Sequence, residues 1–511
     1  MRLARSSHLW LLTACLILGF TLAKADNENA LPELGDQTAA LSPQSEFRMG
    51  RAYERSFRGS VPTLSDPLVQ DYIEHLIYRL AFNTPITDLD LSILLIDSTD
   101  INAFAVPGGF VGLNAGVFLY AETEGELASV LAHELGHLKQ RHYARMMAAS
   151  KHDMWWYLAA MAAAIALSAR GNGDAGMGAI ATTQAAMAQN QLHYSRQYEQ
   201  EADRIGLQTL VNAHIDPNAM PRFFQRLLEA TAGGINIPAY LQDHPLTASR
   251  IADTASRAAQ YPVHFPDDST EFQVMRLRTQ AFYNRDPKAT LKKILPALGQ
   301  LPTHIACSEC NPASANPLGP TAHPEQELNA TNPLTLTRVY AICLYQKLDQ
   351  PASAEPLARQ LLQQDPHRIA WVYLLGETLL QEKKNKEAVQ LLDHELALST
   401  DNLALELLDA DALIADHQYQ KAITQLQFLQ EHRPDDPDVW NRLADAWSGS
   451  GDAVDLFRAK AELYYLQGDD THALQQMHFG LQAAGNNYPE RARFENRLNA
   501  MIQGHQDLKN Q

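Results

Sequence analysis

Apolar positions along this chain follow several distinct patterns, and each predicts an element. Leu9 to Leu22 is almost wholly apolar behind Arg2 and Arg5. Ala23-Lys24-Ala25 follows, the layout of a cleavable export signal with a mature start at Asp26. Asp26 to about Ser45 is polar and proline-containing, a loosely held segment. Glu46 to Ser60 and Asp66 to Ala81 carry apolar residues at helical spacing, clearest in Val69, Tyr72, Ile73, Leu76, Ile77 and Leu80. Leu89 to Ile96 is rich in branched residues and predicts a strand. From Asn102 to Gly116, two short apolar runs flank Pro107-Gly108-Gly109, which predicts a hairpin or tight strand reversal. Helices are predicted from about Thr123 to Met147, from Met154 to Ala169 and through Ser195 to Gly206, with a glycine-rich turn at Gly171 to Gly178.

From about Glu271 the pattern becomes one of helical hairpins. Ala354, Ala388 and Ala422 stand 34 apart, as do Pro366, Thr400 and Pro434. Ile342, Gly376 and Ala410 fill the position where the two helices of a unit pack closely. Trp440, Leu443, Ala444 and Trp447 continue the series, and Ala461 and Ala473 mark another unit after a break near Gly449-Ser450-Gly451. This is the period of tetratricopeptide repeats, which stack into a curved solenoid with a concave binding surface. Asn311 to Pro333, rich in Pro, Ala and Asn, reads as a loop insertion.

Composition narrows the classes. A chain of 511 residues exceeds one ordinary domain, and an apolar fraction of 46% with 20% charged residues belongs to a globular protein. A formal net charge of −18 argues against a nucleic-acid binder, whose footprint should be basic. At the N-terminus, Leu12-Thr13-Ala14-Cys15 offers lipidation of Cys15 as a rival to simple cleavage, and an uncleaved anchor is a third reading. In an oxidising compartment Cys307 and Cys310 could close a small disulfide; a redox C-x-x-C would lack its βαβ setting. The apolar Met154 to Ala169 is shorter than the roughly 20 residues of a spanning helix. With Trp155 and Trp156 at one end it suits either peripheral membrane contact or a buried or substrate-facing helix.

The chemistry centres on His133-Glu134-Leu135-Gly136-His137. Spacing of four sets both imidazoles on one helical face, able to bind one zinc ion, with the Glu134 carboxylate directed at the position of a water. The bland alternative is a pair of histidines matching a short pattern. Glu199 and Asp203 also share a helical face. Glu199 can complete a His-His-Glu site, and Asp203 can accept a hydrogen bond from the outer nitrogen of a ligating histidine. A solvated acidic face, with Glu201 pointing elsewhere, is the competing reading. Asn102, Phe104, Gly108 and Gly109 lie on the predicted strand reversal, and Gly109 and Gly112 would let another backbone come close. That suits an edge where an extended substrate peptide adds itself, or plain hairpin structure.

H-E-x-x-H, followed after about sixty residues by Glu199-Gln200-Glu201-Ala202-Asp203 and preceded by Asn102-Ala103-Phe104-Ala105-Val106-Pro107-Gly108-Gly109, resembles the M48 family of zinc metalloproteases over roughly Glu46 to Tyr261. The resemblance implies an α+β zincin-type domain, mostly helical with a small sheet, ahead of the all-α repeat solenoid. It implies one zinc ion per chain held by His133, His137 and Glu199 rather than Glu201, with Glu134 as general base and Asp203 in support. Asp243-His244-Pro245-Leu246-Thr247-Ala248-Ser249-Arg250-Ile251 is similar to the family's H-P-x-x-x-R-I segment. In the periplasmic, repeat-bearing members the corresponding histidine reaches the zinc and holds the enzyme closed, which makes His244 the candidate fourth, inhibitory ligand. Arg250 is a weak candidate for stabilising an oxyanion.

The expected organisation is therefore an export signal over 1–25, a protease domain over 26–265 and repeats over 271–511, with the loop at 311–333. The expected activity is endopeptidase cleavage of peptide substrates in the periplasm. By the same resemblance, the repeats would contact outer-membrane β-barrel proteins and their assembly machinery, with a chaperone-like role and degradation of misassembled clients. The competing expectation is a non-proteolytic chaperone or adaptor with a mainly structural zinc.

Overall fold

Local capping sets where the first helices begin. In this computed structural model, which describes residues 42–86, 90–145, 196–232, 239–261, 265–266, 268–298 and 333–509, Ser42 caps helix α1 (Pro43–Ser60) by accepting from the Ser45 amide. Asp66 does the same for α2 (Pro67–Phe82) through the Val69 amide. Each has proline in its first turn, where the missing N–H costs nothing. Of the expected stripe on α2, Val69, Ile73, Leu76, Ile77 and Leu80 are buried and Tyr72 is half-buried. The export segment, Cys15, the 154–169 helix, Cys307 and Cys310, and the 311–333 loop up to its last residue lie outside the described residues.

Three strands follow: β1 (Ser92–Ile96), β2 (Ala103–Val106) and β3 (Phe110–Asn114). β2 and β3 form the expected hairpin, with Phe104 opposite Gly112. β1 joins the other side of β3 in parallel, Ser92 opposite Phe110, so the order is β1-β3-β2 and β3 is central and wholly buried. Gly108 and Gly109 turn the hairpin with φ of 85° and 80°, in the left-handed region that side chains resist.

After a short helix α3 (Gly116–Tyr120), α4 (Glu124–Lys139) starts at a Thr123 cap and is buried from Gly125 to Gly136. It stops at Lys139, well before the Met147 its sequence predicts. Arg141 adopts φ 49° and folds its amide back to the Leu138 carbonyl, which ends the helix and turns the chain. Helix α5 (196–212) crosses α4, and α6 (Ala219–Ala232), α7 (Ala239–Asp243) and α8 (Ala248–Ala258) complete this part.

Helix α9 (Thr270–Tyr283) begins the hairpin series. It packs on the earlier part as well, with Phe272 stacked 6.3 Å from Phe118. The helices from α10 (Pro287–Leu298) and α11 (Pro333–Lys347) through α12 (Pro351–Gln364), α13 (Ile369–Gln381), α14 (Asn385–Leu396), α15 (Leu403–Ala415), α16 (Tyr419–His432), α17 (Pro437–Ser450), α18 (Ala453–Leu466), α19 (Asp470–Ala483) and α20 (Tyr488–Lys509) run in pairs. Ala354, Ala388 and Ala422 are fully buried. The repeat also appears in the backbone: Asp349, Lys383, His417 and Gly451, each 34 after the last, all have positive φ where a helix hands over to the next.

The solenoid does not hang free. The described residues from Ser42 onward form one compact unit, and one apolar core extends from Leu64 on the first part to Ala459 in the repeats. Polar contacts stitch the seam: Arg278 reaches Asp66 at 2.5 Å and Glu377 at 2.8 Å, Arg433 reaches Glu74 at 2.8 Å, and Asn402 donates to Asp71 at 3.3 Å. Helix α1 bridges the longest gap. Its Arg55 pairs with Asp470 at 2.6 Å and Gly59 abuts Gly468, while nearer its start Gly50 lies against Pro107 and Gly108 and Glu46 binds Arg141 at 2.6 Å. A cleft of about 1180 Å³ opens between α1, β1 and the repeats.

Candidate metal centre

Close crossing of two helices builds the site. A Cβ at Gly136 on α4 would sit 2.8 Å from the Ala202 carbonyl on α5, so glycine there lets the two backbones approach. The approach sets α5's acidic residues against α4's histidines. His133, His137, Glu199 and His244 converge, one ligand atom of each lying within 4.8 Å of the others.

The separations decide what such a cluster could hold. His133 Nε2 lies 3.1 Å from His137 Nε2, 3.3 Å from His244 Nδ1 and 3.3 Å from Glu199 Oε2. Glu199 Oε1 lies 3.4 Å from His137 Nε2 and 3.1 Å from His244 Nδ1. Ligand atoms about 2.0–2.2 Å from a common zinc at tetrahedral angles stand roughly 3.3–3.5 Å apart, so spacing and donor set both fit that ion. Charge fits as well. Burial drives His137 down to about 3, leaving the neutral imidazole a metal requires. Burial also presses on His133, but Asp203 and Glu199 outweigh it and raise it to about 9. The metal-free chain thus holds a cation between two carboxylates, where a bound ion would stand in its place. Burial opposes ionisation of Glu199, yet His244 and the other two histidines hold its carboxyl well below the usual range.

Around this cluster a second set of contacts fixes orientation. His133 Nδ1 lies 3.0 Å from Asp203 Oδ1. Arg250 forks onto both Asp203 oxygens at 2.7 Å, donates to the Pro245 carbonyl at 2.9 Å and lies 2.8 Å from Glu199 Oε2. Those contacts commit four of the five Arg250 N–H donors to the two carboxylates and the Pro245 carbonyl. Glu134 is buried, with Oε1 3.5 Å from His244 Nε2 and no hydrogen-bond partner for that oxygen among the described residues. Burial raises its pKa, against the pull of His244 and His133.

The predicted edge is divided. Asn102 and Phe104 lie where β2, at the sheet's edge, runs beside α4. The Asn102 carbonyl accepts from the Asn114 amide, and its Oδ1 has no partner among the described residues. Phe104 lies over Gly112 and packs on Phe57 at 5.0 Å. Gly108 and Gly109 do admit another backbone closely, but it is the chain's own: Glu46 and Phe47 at Gly108, and Asp90 at Gly109. Both glycines are half-buried, with these segments packed against the turn.

Two residues escaped the sequence reading. His142 Nδ1 lies 2.9 Å from His137 Nδ1, and Glu201, read above as pointing elsewhere, meets His142 Nε2 at 3.1 Å and Arg145 at 2.8 Å. Five residues beyond His137, His142 would lie well round a continuous helix; only the reversal at Arg141 returns it.

Comparison with known proteins agrees with this architecture. The model of peptidase family M48 matches residues 65–258, and a tetratricopeptide-repeat model matches 346–397. The chain belongs to peptidase family M48 and is a metalloendopeptidase. It is 30% identical over 500 residues to the β-barrel assembly-enhancing protease of Escherichia coli strain K12, covering 96% of each chain. It is 31% identical over 473 residues to that of Yersinia pestis, covering 91% of each. The mitochondrial metalloendopeptidase OMA1 of Schizosaccharomyces pombe is 29% identical over 180 residues, 35% of this chain and 50% of that one.

Proposed function

We propose that this chain is a zinc-dependent endopeptidase of the periplasm that serves outer-membrane β-barrel assembly and degrades misassembled clients. The observation that carries it is the convergence of His133, His137, Glu199 and His244 beside Glu134. Support for the setting comes from the similarity to β-barrel assembly-enhancing proteases along nearly the whole chain and from the signal-like 1–25 segment. Residues 26–265 would form the protease and 271–511 the repeats that engage clients and the assembly machinery.

In this reading His133, His137 and Glu199 would hold one zinc ion, which would supply Lewis acidity toward a scissile carbonyl and lower the pKa of water. Glu134 takes the proton of the attacking water and passes it to the leaving amine. Asp203, clamped by Arg250, holds the outer nitrogen of His133. An extended substrate adds to β2 along Asn102 to Ala105, where Asn102 Oδ1, without a partner among the described residues, offers an acceptor. His244 would supply a fourth ligand in the resting state and keep the site shut until its segment withdraws.

His244's place in the cluster also favours a second reading, a non-proteolytic client-binding adaptor with a mainly structural zinc. Glu134→Gln separates the two. The expected outcome is a folded protein that binds one equivalent of zinc and cleaves neither casein nor itself. Cleavage by the metal-loaded variant would rule out the base assignment. Full rescue of an outer-membrane defect by the same variant, in cells lacking the protein, would favour the adaptor.

A further inference from the structure

The two α4 histidines are held from behind in parallel ways. On His133 the outer nitrogen meets Asp203, itself clamped by Arg250. On His137 the route is one residue longer: Nδ1 to His142 Nδ1 at 2.9 Å, His142 Nε2 to Glu201 Oε2 at 3.1 Å, and Glu201 to Arg145 at 2.8 Å. Tyr198 stacks on the His142 ring at 4.5 Å and takes the Arg145 guanidinium over its own ring at 4.6 Å. His142 is buried, so its ring orientation is set by these contacts rather than by solvent.

Hydrogen counting gives the chain a direction. Glu201 can only accept, so His142 Nε2 carries a proton and donates it. A neutral His142 then presents a bare Nδ1 to its neighbour. His137 Nδ1 must be the donor, which leaves the His137 Nε2 lone pair facing Glu199 and His133. Resting on the reading that His133, His137 and Glu199 hold a metal, we propose that His142, backed by Glu201 and Arg145, is a positioning residue that fixes the tautomer and orientation of His137. Its imidazole stands where ligating histidines elsewhere use a carboxylate or carbonyl directly.

The test uses full-length protein stripped and reloaded with zinc or cobalt, as unaltered chain, His142→Ala, His142→Gln and Glu201→Gln. Chelator competition reads zinc affinity, and proton NMR of the cobalt form reads the exchangeable imidazole N–H of each ligand. His142→Ala is expected to lose about 10- to 100-fold in zinc affinity and the protected N–H of one histidine. His142→Gln, whose amide can accept from Nδ1–H and donate to Glu201, is expected to recover part of both. Unchanged affinity and an unchanged N–H in a folded His142→Ala protein would overturn the inference and leave the metal site standing. An unaltered chain that takes up no cobalt would overturn the metal-site reading itself, and the inference with it. If His142→Ala does not fold, Glu201→Gln, nearly isosteric, carries the same comparison.

Discussion

His244 sets its Nδ1 3.3 Å from His133 Nε2 although 111 residues separate them in sequence. The contact is made because α7 delivers the 243–247 segment over α4, with the His244 amide held by the Tyr240 carbonyl and the Tyr240 ring 4.8 Å from the imidazole. His244→Ala should therefore raise proteolysis, self-cleavage included, by at least several-fold, because it would vacate the proposed fourth ligand position without touching His133, His137 or Glu199. Casein turnover and the appearance of autolytic fragments measure it. A rate at or below that of the unaltered chain would count against inhibition by His244.

Arg250 is buried with two carboxylates depending on it. Arg250→Met should leave Asp203 and Glu199 with only the histidines to offset them and cost about 3–5 kcal/mol of stability in the metal-free protein. Adding Asp203→Leu should return part of that loss, since the pair rather than either charge is what the interior tolerates. Thermal melts of the two variants with and without zinc would decide it; equal losses in single and double variants would contradict the coupling.

Asp409 lies buried on α15, one carboxylate oxygen without a partner among the described residues. Burial first, then Asp393, raises its pKa from 3.8 to about 7, with Lys421 pulling the other way. The folded state thus binds the proton more tightly than the unfolded one. Its contribution is fully present below pH 3.8 and declines as pH rises toward 7. Above that, the ionised group costs roughly 4 kcal/mol. Asp409→Asn should match the unaltered chain near pH 4 and become the more stable of the two by pH 8. A stability difference that does not grow with pH would refute the assignment.

Cys343 is buried on α11, and burial pushes its thiol up to about 12. At pH 8 only roughly one in ten thousand would be thiolate. Iodoacetamide should leave Cys343 unlabelled in the native protein and label it fully in denaturant, as read by peptide mass spectrometry. Labelling of the folded chain within minutes would mean that α11 opens locally.

Periodic features were the legible ones. His133 and His137, and Glu199 and Asp203, declare themselves because a helix returns to the same face every four residues, and the repeat alanines because stacking reuses one packing position. The parallel pairing of β1 with β3, the close packing of Gly108 against Glu46 and Phe47, and the approach of His142 to His137 carry no such spacing. Each depends on where the backbone reverses or on a partner far along the chain. The left-handed turn at Arg141 illustrates the difficulty, since nothing in a run of helix-forming residues marks the one that will take positive φ.

Helix α1 spans 18 residues, about 27 Å at 1.5 Å per residue. One end is pinned to α19 by Arg55 and Asp470, and the other bears on the Pro107–Gly108 turn and on Arg141 behind the metal cluster. A rod held at both ends cannot shift at one without loading the other. Displacing the terminal repeats along α1 would therefore load the Pro107–Gly108 turn and Arg141, the contacts at its other end.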